Sequence, residues 1–154
     1  MMEAANSLKT QISEDMKSAM RARDNARRDA LRLILAAIKQ QEVDNRKALD
    51  DVEMLGVLDS MLKQRRESID QFKRAGRDDL IAQEQFEMDV IVTYMPARLS
   101  DPEIESLIED AIANSGAASL QDMGKVMGRL KSQLAGRADM AEVSRKVKAR
   151  LTSA

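Results

Sequence analysis

Within the stretch QDMGKVMGRL, Gln121 to Leu130, two glycines stand four residues apart and each is followed by a base, Gly124-Lys125 and Gly128-Arg129. Such a pattern suits contact with a polyanion. Bare backbone lets a phosphate or another helix come close, and the flanking cations supply charge. The apolar spacing of the same stretch predicts a helix, in which an interior glycine costs about 1 kcal/mol relative to alanine. On a helical wheel Met123, Met127, Leu130 and Leu134 form the core stripe, with Gly124 and Gly128 together on its flank. Lys131 borders the glycines on the core side, and Lys125 and Arg129 border them on the solvent side. A plainer reading stands beside this one: a neighbouring helix of the same domain packs against the glycines. A nucleotide loop fits poorly, because the glycine spacing before Gly-Lys is wrong and no strand leads into it.

The charge distribution around this stretch is lopsided. From Ser119 onward there are 8 bases (Lys125, Arg129, Lys131, Arg137, Arg145, Lys146, Lys148 and Arg150) against 3 acids, a local charge of +5, while the rest of the chain carries −6. A basic tail on an acidic body points toward a polyanionic partner. Earlier basic runs have a simpler explanation. Lys17, Arg21, Arg28 and Arg32 are interleaved with Asp24 and Asp29, and Arg65-Arg66 is followed by Asp70, four residues beyond Arg66. Those patterns suggest solvated or salt-bridged helix faces. Asp101, Glu103 and Glu105 sit at a helix start, where the macrodipole favours acids.

The inventory leaves little room for catalysis. The 154 residues include no cysteine and no histidine, which removes disulfides, thiol nucleophiles, Cys/His zinc sites and imidazole chemistry. No nucleophile stands beside a base and no metal-ligand cluster is visible, so no catalytic residue, metal or cofactor is expected. Aromatic residues are only 2% of the chain, so the core must be aliphatic, with 11 methionines to fill irregular gaps. MMEAANSLKTQISEDMK shows no leader pattern, and the longest strictly apolar run, Leu33 to Ile38, is too short to span a membrane. A cytoplasmic protein without a membrane partner is expected.

The elements that must position the basic strip are all helices. Leu8, Ile12, Met16, Ala19 and Met20 form a first stripe, and Asp24 opens a second helix burying Leu31, Leu35 and Ile38. Leu33 and Ile34 suggest that this helix is covered on more than one side. Asp50 with Glu53 forms a capping box for a third helix through Val52, Leu55, Leu58, Leu62, Ile69 and Phe72, which Gly76 stops. Asp78 or Asp79 opens a fourth, carrying Leu80, Phe86, Val90 and Ile91, which Pro96 ends. Ser100-Asp101-Pro102-Glu103 restarts the chain into Ile104, Leu107, Ile108, Ala111 and Ile112, closed at Ser115-Gly116. Ser119 with Asp122 and Asp139 with Glu142 open two more helices, the first ended by Gly136 and the second running through Val143, Val147 and Leu151. The fold class is therefore all-α: two small helical domains, residues 1–95 with four helices and 96–154 with three, hinged at Pro96 to Leu99.

Three segments in this order, KQRRESIDQFKRAGRDDL (63–80), YMP (94–96) with Leu99-Ser100 after it, and DMGKVMGRLKSQLAGRADMAEVSRKVKARL (122–151), resemble the YqeY-like family. The C-terminal part is similar to the tail domain of the GatB subunit of glutamine-dependent Asp-tRNA/Glu-tRNA amidotransferase, a carbon–nitrogen ligase with glutamine as amido donor. That resemblance implies a tRNA-contacting tail domain without the catalytic domains. Carried onto this chain, it marks Gly124, Lys125, Met127, Gly128 and the turn Gly136-Arg137-Ala138-Asp139. Two functions are carried forward. One is an accessory protein binding tRNA or structured RNA, not DNA, through Lys125, Arg129, Lys131, Arg137, Arg145, Lys146, Lys148 and Arg150, with Gly124 and Gly128 as a close-backbone surface. The other is a helical adaptor docking, through methionine-rich stripes, on a protein of the translation machinery.

Overall fold

In the computed structural model the described residues, 7–153, form seven α-helices and one 3₁₀ turn. Residues 1–6, part of the stretch read above for a leader, and Ala154 lie outside the described residues. In chain order the helices are α1 (Leu8–Arg21), α2 (Asn25–Asn45), α3 (Asp51–Ala75), α4 (Asp78–Val92), α5 (Asp101–Ser115), α6 (Met123–Leu134) and α7 (Met140–Ser153). The all-α class holds, and the chain divides into two compact units, one ending at Met95 and the next starting at Pro96. Among the described residues no helix is long and apolar enough to cross a membrane.

Local chemistry sets most helix ends. Asp50 accepts from the Glu53 amide at 2.8 Å while Glu53 accepts from the Asp50 amide at 3.1 Å, and Ser100 with Glu103 repeats this reciprocal cap on α5. Each such cap contributes about 1 kcal/mol. Ser7 and Asp24 make one-sided caps on α1 and α2, accepting from the Thr10 and Arg27 amides. Gly76, Gly116 and Gly136 take φ of 68°, 70° and 71°, the left-handed conformation that turns the chain out of a helix. α7 opens without the expected Asp139–Glu142 pair: Asp139 accepts from the Ala141 amide instead, and Glu142 is exposed.

The first unit buries Ile12, Leu31, Ile34, Ile38, Leu58 and Ile91 completely or nearly so. Several expectations fail here. Leu33 is 46% exposed, so its side of α2 is left uncovered although α1, α3 and α4 all pack on this helix, and Leu35 is half-buried at the edge of the core. On α4 the side facing α3 carries Glu87, Val90 and Ile91, while Phe86 faces solvent. Glu87 lies 3.6 Å from Arg65 of α3, so Arg65 turns inward and Arg66 stays outside, with no ion pair to Asp70 among the described residues. Burial pushes the Glu87 carboxyl up, and Arg65 beside it only partly offsets that shift. Arg65 Nε is buried without a hydrogen-bond partner. Polar compensation at this contact is incomplete.

The second unit has its own core of Ile104, Ile108, Ala111, Val126, Leu130, Leu134, Ala138, Val143, Val147 and Leu151. It holds α6 between α5 and α7.

Candidate nucleic-acid interface

α6 presents the glycine strip. Its buried side is Val126, Leu130 and Leu134, with Met123 and Met127 half-buried beside them. The wheel drawn from Met123, Met127, Leu130 and Leu134 is thus rotated slightly, and it missed Val126. That rotation moves Gly124 and Gly128 fully onto the exposed surface. A Cβ built on either glycine meets nothing within 4 Å. The plainer reading, in which a helix of this domain packs on the glycines, is therefore overturned.

The eight candidate cations fall into two groups. Arg129, Lys131, Arg145 and Lys148 are exposed, and none has an ion pair among the described residues. Lys125 is 70% exposed and lies 3.9 Å from Asp122, too far for a firm contact. The other three are engaged inside the unit. Lys146 lies 3.5 Å from Glu105, and Arg150 donates to Glu105 at 2.8 Å and lies 3.7 Å from Glu109. Glu105, read as a helix-start acid, thus ties α5 to α7. Arg137 donates from Nε to the Ala97 carbonyl at 3.0 Å, and its own carbonyl accepts from the Leu99 amide at 2.9 Å. This clasp holds the start of the second unit onto the turn after α6. To meet a phosphate, Lys146 and Arg150 would have to share their charge with Glu105.

Geometry around the strip explains which acids stay out of it. Asp122 accepts from the Ala118 and Ser119 amides, and those donors hold its carboxyl below the ordinary value. Its charge is spent on the 3₁₀ turn (Leu120–Asp122) that leads into α6. The solvent side of α6 therefore combines two open glycines with Lys125, Arg129 and Lys131 and carries no acid. Sequence reasoning could not separate Arg145 and Lys148 from Lys146 and Arg150, because the separating partner, Glu105, lies 45 residues from Arg150.

The profile of the Yqey-like protein family matches residues 9–151. The chain belongs to this family. Among curated relatives, the family member is 44% identical over 87 residues to "Altered inheritance of mitochondria protein 41, mitochondrial" of Eremothecium gossypii, covering 56% of this chain and 48% of that one. It is 32% identical over 126 residues to the protein of the same name from Saccharomyces cerevisiae, covering 77% of this chain and 68% of that one. The Vanderwaltozyma polyspora protein of that name is 26% identical over 119 residues, 73% of this chain and 64% of that one. The matched segments thus span from about half to about two thirds of the relatives' own lengths.

Proposed function

We propose that this YqeY-like protein is an accessory RNA-binding protein whose second unit contacts the phosphate backbone of tRNA or another structured RNA through α6. One observation carries the reading. Two glycines on a solvent-facing helix surface meet no neighbour among the described residues, yet they lie beside Arg129 and Lys131, which pair with no acid there, and Lys125, which Asp122 approaches only to 3.9 Å. Glycine there weakens the helix, and no contact among the described residues offsets that loss. A ligand that approaches the backbone closely and is attracted to positive charge would use both features. Shape and phosphate recognition also suits a chain with 2% aromatic residues, which has few rings on which to stack bases.

The relation to the tail of the tRNA amidotransferase belongs to the same proposal. The protein would serve tRNA metabolism without performing amide transfer itself. It would act in the cytoplasm; the yeast relatives are by name mitochondrial, and both compartments hold tRNA. The second reading, an adaptor docking through exposed methionines, has less to support it. Of the nine described methionines, Met20 alone is exposed, and the others are buried or half-buried.

The test is fluorescence anisotropy with unfractionated tRNA across a salt series, comparing the native chain with Lys125→Glu/Arg129→Glu/Lys131→Glu. Counterion release predicts a linear fall of log affinity with log salt, and a slope reduced by roughly 3 in the folded variant. Absence of binding at low salt would refute the RNA reading and leave the adaptor.

A further inference from the structure

The turn between α1 and α2 shows an opposite use of backbone conformation. Arg23 sits there at φ 59°, in the left-handed region where glycine is the unstrained residue. A non-glycine residue in that region is strained by its Cβ. On α6 the chain keeps glycine where alanine would be more stable; here it keeps arginine where glycine would be more stable. In both places the substitution that would add stability would also remove a feature suited to binding an anion.

The surroundings of Arg23 are rich in arginine. Residues 21–32 hold five arginines, Arg21, Arg23, Arg27, Arg28 and Arg32, and no lysine. Arginine's planar, five-donor head matches phosphate oxygens better than an ammonium does. The acids interleaved with them are occupied within the unit. Asp24 accepts from the Arg27 amide at 3.2 Å, and Asp29 pairs with Arg28 at 2.8 Å. Asp15, facing the turn from α1, accepts from the Tyr94 hydroxyl at 2.5 Å, and Arg27 also reaches that hydroxyl. Arg21, Arg23 and Arg32 remain exposed, and Arg21 donates to the Ser18 hydroxyl at 3.2 Å without an ion pair among the described residues. The exposed basic face of α3 makes a weaker candidate, because the exposed acids Glu67 and Asp70 stand four residues beyond Lys63 and Arg66 and offset their charge on the same helix side.

We infer that the α1–α2 turn together with the first two turns of α2 is a phosphate-contacting surface of the first unit, engaging RNA through Arg21, Arg23 and Arg32 independently of the α6 strip. The inference rests on the RNA reading proposed above. It is tested in the full chain with unfractionated tRNA, using Arg23→Gly/Arg32→Gln and, separately, the α6 charge-reversal variant. The turn variant should melt no lower than the native chain, since glycine relieves the backbone at position 23. Its salt slope should nevertheless fall by roughly 2, about one unit for each phosphate contact removed. The single variant Arg21→Gln, which leaves the backbone unaltered, should reduce the slope by about 1. If the native chain binds tRNA and the turn variants keep its slope and affinity, the inference is overturned while the RNA reading stands. If the native chain does not bind tRNA, both fall. If the turn variants lose slope while the α6 variant does not, the turn is the contact surface and the α6 assignment is wrong.

Discussion

Replacing Gly124 and Gly128 by alanine separates packing from binding, because the two explanations predict opposite signs. Gly128 lies in the middle of α6, where the change from glycine to alanine is worth about 1 kcal/mol. Gly124 is the second residue of the helix, where propensity counts for less, so about 0.5 kcal/mol is assigned to it. No steric cost offsets these gains, since nothing lies within 4 Å of either added Cβ. The double variant should thus be stabilised by about 1.5 kcal/mol, equivalent to a rise of roughly 6–12 °C in the melting temperature of a unit this small. Calorimetry of the full chain measures the rise, and slowed hydrogen exchange at the Leu130 and Leu134 amides would assign it to the second unit. tRNA affinity should fall in the same variant, because methyl groups now hold the phosphate backbone away from the helix. Destabilisation at Gly128→Ala would show that a neighbour does pack there, and the reasoning would fail. A gain in stability with unchanged tRNA affinity would refute the use of bare backbone and leave contact to the cations alone.

Two further predictions concern titratable groups. Glu87→Leu should destabilise the first unit by about 3 kcal/mol, because it strands Arg65, only 14% exposed, without its acid, whereas Arg65→Met/Glu87→Leu should regain most of that loss. Equal urea-melt stabilities for the single and double variants would refute the pairing. In the second unit, the Ser100 amide and hydroxyl hold the Glu103 carboxyl below its ordinary value of 4.5. A depressed carboxyl contributes stability above its unfolded pKa, and that contribution is lost as pH falls through the folded one. Glu103→Gln, which keeps the cap but cannot ionise, should therefore flatten the acid limb of the second unit's stability profile; an unaltered limb in urea melts over a pH series would contradict the assignment. Glu87 has the opposite sign: its carboxyl is raised by burial, so its contribution is present at low pH and lost as pH rises through the folded value.

Helix identity and most helix ends were legible in the sequence because they depend on neighbours three or four residues away. The Asp50–Glu53 and Ser100–Glu103 caps and the glycines at 76, 116 and 136 all belong to this class. The apolar stripes of α3, α5 and α7, and that of α1 apart from Met20, which is 48% exposed, were legible for the same reason, since a repeat near 3.6 residues marks one side of a helix without reference to the rest of the fold.

Burial on the less clearly striped helices depended on tertiary contact. α4 offers both Phe86 and Glu87, adjacent in sequence but about 100° apart on the wheel, and only its packing on α3 turns the carboxylate inward against Arg65. α2 offers Leu33 and Ile34 together, and the direction from which α1, α3 and α4 approach leaves Leu33 in water. The sorting of the basic tail is of this kind too. Sequence alone determined an all-helical chain with a surplus of cations after Ser119 and a glycine pair among them. Tertiary structure decided which of those cations are free, because Glu105 and the Ala97 carbonyl reach Lys146, Arg150 and Arg137 across the fold. It also decided that the glycines are bare. Local propensity reports what a helix loses by carrying glycine, and only the placement of α5 and α7 shows that no neighbour among the described residues fills the space.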